Sequence, residues 1–144
     1  MKEEAKVRLI KHIGFLEEEL KDYVLFRQVT WKDYKANRST RRDLERWIEN
    51  IINSSIDIAK VILSSEEIRL SDTYREVILS LSLVKEFDSK EAEELSKWVR
   101  IRNIISHEYL DIKWASIKRF IGETESLYKR FLNNVKGYVK KKHK

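Results

Sequence analysis

The chain has 144 residues, of which 38% are charged and 42% hydrophobic, with three glycines, no proline and no cysteine. That length fits one domain, and the lack of cysteine excludes a disulfide framework or a thiolate metal site and favours a reducing cytoplasm. Nor does any run approach the ~18 apolar residues of a membrane span, and Met1–Lys6 lacks the apolar stretch of a secretion signal.

This composition is that of packed helices rather than of a β-sandwich or a disordered chain. The net charge of +6 is unevenly spread: Arg27 to Arg46 holds seven basic residues against three acids, and the chain closes on Lys140-Lys-Lys-His-Lys144. Such clusters either form a solvated face or attract a phosphate polymer through counterion release.

Five helical segments follow one another without a repeat or a Gly/Pro-rich linker. The first spans about Glu3 to Leu25, with Leu9, Ile13, Leu16, Leu20 and Tyr23 on one side. Trp31 to Asn37 adds one or two turns that are basic and aromatic. Here Lys32 and Lys35, with Arg41 and Arg42 just beyond, are the candidate RNA-contacting cations, and Trp31 and Tyr34 are the candidates for base stacking. The next segment, with Ser39 or Thr40 as its cap, places Leu44, Trp47, Ile48, Ile51, Ile52, Ser55, Ile58, Ala59 and Ile62 at three-four spacing, the pattern of a core helix. Ser71-Asp72 caps a further segment with Tyr74, Val77, Ile78, Leu81 and Val84 inward. Ser89 opens another, which runs to about Tyr109 with Glu91 and Glu93 near its positive end. The last segment, about Lys113 to Tyr138, buries Trp114, Ile117, Ile121, Thr124, Leu127, Phe131 and Val135. Trp47, Trp98 and Trp114 sit at core spacing, where burial is the expected role. The sum is an all-α, up-and-down bundle of about five helices in a single domain over residues 1–139, followed by a basic tail at 140–144.

Chemistry concentrates in Leu95 to Leu110. At about 100° per residue, Trp98, Ile101, Ile105 and Ile112 form a stripe towards the core, whereas Leu95, Val99 and Leu110 lie on another side. Arg102, Ser106 and Tyr109 fall beside that second side, with Asn103 and His107 adjacent at its border. A polar cluster flanked by leucine and valine points to a covered surface, either a two-fold dimer or a neighbouring helix of the same chain. An imidazole at His107 could take a proton from a ribose 2′-hydroxyl or give one to a leaving oxygen, and the fixed charge and fork of Arg102 suit a scissile phosphate. The three histidines, His12, His107 and His143, have no metal-site spacing, and there is no glycine-rich phosphate loop.

Arg102-Asn-Ile-Ile-Ser-His107-Glu-Tyr109 resembles the R-x4-H-x-Y signature of the HepT-like HEPN toxins, which are paired with minimal nucleotidyltransferase (MNT) antitoxins. Arg41-Arg-Asp-Leu-Glu-Arg-Trp-Ile-Glu-Asn50 and Thr73-Tyr-Arg-Glu76 agree with that family, so the resemblance spans about Val7 to Ile121. It implies a HEPN-type bundle that dimerises and acts as a metal-independent endoribonuclease without a cofactor. Arg102 and His107 would then be catalytic, Asn103 and Ser106 would line the site, and Tyr109 would be adenylylated by a separate nucleotidyltransferase antitoxin. The alternatives are a non-catalytic HEPN scaffold or substrate-binding subunit of a nucleotidyltransferase, and a basic helical protein whose motif is incidental.

Overall fold

The computed structural model describes residues 1–142; His143 and Lys144 lie outside the described residues. In chain order the helices are α1 (Glu3–Leu20), α2 (Tyr23–Phe26), α3 (Trp31–Ala36), α4 (Arg38–Ser65), α5 (Tyr74–Leu79), a 3-10 turn (Ser80–Leu83), α6 (Ser89–Trp98), α7 (Ile101–His107), α8 (Leu110–Glu123) and α9 (Glu125–Lys142). The described residues contain no strand, and none of their helices is long and apolar enough to cross a membrane. The all-α reading therefore holds, with several of the five segments broken into shorter helices.

The 28-residue α4 is the axis of the bundle. It packs against α1, α3, α5 and α7, and α1 also lies along α9. The expected α4 stripe is buried throughout, from Leu44 to Ile62. In the C-terminal half burial widens to Ser54, Ile56, Val61 and Leu63, because helices cover α4 on more than one side there. An aromatic cluster joins the elements at one end: Tyr23 meets Trp47 edge-on at 4.7 Å, and Phe120 meets both Trp47 and Trp98 edge-on. Such offset and edge contacts place the positive ring edge on the negative face and favour one arrangement of the core.

Each break has a local cause. The first segment stops at Leu20 rather than Leu25 because the amides of Lys21 and Asp22 turn back three residues, to Glu18 and Glu19, and the Trp47 indole donates to the Glu19 carbonyl at 2.7 Å. Asn37, not Ser39 or Thr40, caps α4, its side chain accepting from the Thr40 amide. Thr73 caps α5 and Asp88 caps α6, each one residue from the expected position or two, through the same oxygen-to-N3-amide bond. Tyr74, read as inward, is 46% exposed.

The final segment is two helices. The Thr124 hydroxyl donates to the Phe120 carbonyl at 2.6 Å, so the Tyr23 hydroxyl, 2.6 Å away, must donate to Thr124. This buried relay draws α2 onto the α8–α9 corner. Beyond Val139 the lysines continue α9 as far as Lys142 instead of leaving it as a tail, and Lys142 lies 3.3 Å from the Glu66 carboxylate.

Candidate functional site

The segment from Ser89 to Tyr109 breaks between Trp98 and Ile101. The Ser96 hydroxyl donates to the Glu93 carbonyl, and the Val99 and Asn103 amides turn back three residues, which resets the helical phase before the motif. As a result Leu95 is buried in the core, and Val99 and Leu110 pack against it within the same chain. These three do not form the outward apolar face expected of a dimer seam. Ile112 lies on α8 and is exposed, so it does not extend the Ile101–Ile105 stripe.

Ile101 and Ile105 anchor α7 in the core and set the direction of its other side chains. Arg102 is half-buried. Its guanidinium carbon lies 5.0 Å from the centre of the Tyr74 ring, and the Lys60 ammonium lies 4.7 Å from the same centre. The three line a solvent-open depression of about 240 Å³ with Asn53, Ile56 and Asp57. Asn103, Ser106 and His107 are exposed, and His107 is the last residue of α7. Tyr109 stands in the N-cap position of α8 and is 81% exposed, beyond the end of the helix that carries Arg102. Five residues at 100° each set Arg102 and His107 about 140° apart around α7. Within one chain the helix presents Arg102 towards α4 and α5 and His107 outward, rather than both to one point.

The basic stretch divides. Arg41 donates to the carbonyls of Tyr34 and Lys35 at 3.2 and 3.1 Å, closing the end of α3, whereas Lys32, Lys35 and Arg42 are exposed. Tyr34 cannot stack on a base: it is fully buried, and its hydroxyl donates to Glu45. Burial, together with the Glu45 carboxylate, pushes that phenol well above its ordinary pKa. Trp31 sits at the rim of the same cluster, 36% exposed and 6.2 Å from Trp114. A larger concavity of about 660 Å³ lies against α6, α7 and α8. Arg119 covers Trp98 there at 5.8 Å, and neither Arg102 nor His107 lines it.

Lys60 and Tyr74 share the depression with Arg102, a placement that sequence reasoning missed. The signal for Lys60 was available: Asn53, Asp57 and Lys60 recur at four and three residues, a polar stripe along the largely apolar C-terminal half of α4. Among the described residues no three His, Asp or Glu side chains converge to hold a metal ion.

The family model described as "Ribonuclease HepT-like" matches residues 16–135. In fold the chain is similar to a tri-AMPylated HEPN toxin of Shewanella oneidensis in complex with its MNT antitoxin (TM-score 0.77, 16% identity, covering 90% of this chain and 96% of that one). A toxin–antitoxin complex solved with AMP-PNP gives TM-score 0.78, with 16% identity and coverage of 90% and 97%. The cytosolic protein YutE of Bacillus subtilis, of unknown function, gives TM-score 0.77 at 21% identity, with coverage of 94% and 91%. No curated protein matches the chain in sequence.

Proposed function

The chain belongs to the HepT-like ribonuclease family, and from that premise we propose that it is the RNA-cleaving toxin of a cytoplasmic toxin–antitoxin pair, silenced by an MNT-type nucleotidyltransferase carried on a separate chain. The observation that carries this reading is the state of Arg102. Its guanidinium rests over a neutral ring at the edge of an open depression, five residues before an exposed imidazole, and is left able to receive a phosphate.

The chemistry uses these two side chains and one further acid, the imidazole of a second copy. His107 takes the proton of a ribose 2′-hydroxyl, and the 2′-oxygen attacks the adjacent phosphorus. The bond to the 5′-oxygen breaks, leaving a 2′,3′-cyclic phosphate, and an acid returns a proton to the departing oxygen. Arg102 holds the phosphate and opposes the charge that builds on it. Asn103 and Ser106, exposed on the same helix, supply hydrogen bonds to the strand, and Lys32, Lys35 and Arg42 offer further phosphate contacts along it. One chain provides a single imidazole at the motif, whereas the reaction uses a base and an acid, and Arg102 and His107 of one α7 diverge. A homodimer that faces two motifs answers both needs.

Tyr109 is the acceptor for the silencing step. Its phenolic oxygen attacks the α-phosphorus of ATP, pyrophosphate leaves, and the phenolic proton is lost. The product carries bulk and negative charge at the α7–α8 corner beside His107, where it competes with the RNA backbone.

Induced expression tests this. Wild type should arrest growth and yield RNA fragments with 2′,3′-cyclic ends, and Arg102→Ala and His107→Ala at matched levels should do neither. Co-expression with the nucleotidyltransferase should relieve arrest by wild type but not by Tyr109→Phe. Harmless wild type would replace this reading with that of a non-catalytic scaffold.

A further inference from the structure

The side of α4 that faces Arg102 carries Asn53, Asp57 and Lys60, and the start of α5 lays the Tyr74 ring between that stripe and α7. Two cations of elements far apart in sequence, Lys60 and Arg102, therefore contact one aromatic ring. An exposed tyrosine at the first position of a six-residue helix has no packing reason to be there, since Val77 and Ile78 already seat α5 in the core. Its place is accounted for by what it touches. The ring attracts both cations through its quadrupole without neutralising them, as a carboxylate would. Among the described residues, neither Lys60 nor Arg102 makes an ion pair within 4 Å, although Asp57 lines the same depression. Like charges drawn into one small concavity repel each other, and that repulsion is relieved when a polyanion enters.

We propose that Lys60, Tyr74 and Arg102 form one phosphodiester-binding unit, in which Tyr74 positions the guanidinium of Arg102 for the scissile phosphate and Lys60 binds the neighbouring phosphate of the same RNA strand. This rests on the ribonuclease reading above and adds two residues outside the R-x4-H motif. Lys60 is a binding residue, and Tyr74 acts through Arg102 as a positioning residue. The occupant is a single-stranded RNA backbone. A lone nucleotide would engage the two cations through its own phosphate chain, and its binding would not need an adjoining nucleotide.

The test uses the full chain and two single-stranded oligoribonucleotides of one sequence: one cleavable, and one with 2′-O-methyl riboses that binds without being cut. Lys60→Ala should weaken binding of the uncut strand by on the order of tenfold. It should also reduce the slope of log affinity against log salt by about one and raise KM more than it lowers kcat. Tyr74→Leu should lower kcat, and Tyr74→Phe, which keeps the ring, should restore most of the loss. Lys90→Ala, an exposed cation on α6 away from the depression, should change neither quantity. Thermal midpoints equal to that of wild type exclude unfolding as the cause.

If wild type binds and cleaves while Lys60→Ala and Tyr74→Leu match it, the unit is overturned and the ribonuclease reading stands. If wild type neither binds nor cleaves RNA, both fall. Loss of ATP binding with no change in RNA binding in Lys60→Ala would assign the depression to a nucleotide instead.

Discussion

Buried and half-buried hydroxyls do much of the connecting in this molecule. Tyr23 joins α2 to the α8–α9 corner, Tyr34 joins α3 to Glu45 of α4, and Tyr138 joins α9 to the end of α4 by donating to Glu66 at 2.6 Å. The last of these has a measurable consequence. The Tyr138 hydroxyl, with the Lys142 ammonium, holds the Glu66 carboxyl below its ordinary pKa of 4.5, and the Lys129 and Arg27 cations do the same for Glu125. A group whose folded pKa lies below its unfolded value contributes stability that is complete above the unfolded value and is lost as pH falls through the folded one. Glu19, raised by burial, acts in the opposite sense and offsets part of the effect. The thermal midpoint should therefore fall as the pH drops below about 4.5. In Glu66→Gln that acid limb should be shallower in a pH series of melting curves, and an unchanged limb would remove Glu66 from the account.

At the scale of elements, the end of α4 carries a testable local strain. Glu67 has φ of 58°, in the left-handed region, and the Ile68 and Glu67 amides close the helix onto the Leu63 and Ser64 carbonyls. This is the αL closure that glycine usually makes, and Ile68 supplies its hydrophobic contact against the core. A side chain held in this conformation costs roughly 1–2 kcal/mol. Glycine adds roughly 0.5–1 kcal/mol of unfolded-chain entropy. Glu67→Gly should thus raise the melting temperature, by about 2 °C for a domain of this size, and a lower melting temperature would show that the Glu67 side chain contributes more than its backbone costs.

For the whole molecule, the proposed reaction requires Arg102 and a histidine to reach one phosphate. They diverge on the same short helix, and the apolar residues that first pointed to a dimer, Leu95, Val99 and Leu110, are taken up by the chain's own core. The need for an acid and a base, with one motif imidazole per chain, remains the argument for a second copy. At micromolar concentration the protein should sediment at about twice its 17.4 kDa. A strictly monomeric species that still cleaves RNA would defeat the shared site.

Helix content and the burial of α4 were legible in the amino-acid order, because three-four spacing of Leu, Ile and Trp forces one face inward whatever the surroundings. The cap positions were legible to within three residues, since Ser, Thr, Asn and Asp compete for one kind of bond. What the order of residues did not contain is where helices break. The turns at Ser96–Ile101 and Thr124 are made by hydroxyls bonding back to carbonyls and, at Thr124, by Tyr23 from more than a hundred residues away. The break at Ser96–Ile101 accompanies the burial of Leu95, and a further break at Glu108–Tyr109 sends Ile112 outward and places Tyr109 beyond α7, none of which a continuous helical wheel can represent. Tertiary packing alone set Tyr74 between Lys60 and Arg102. An aromatic ring's partners depend on which elements meet in space, and a periodic pattern records only which side of an element is apolar.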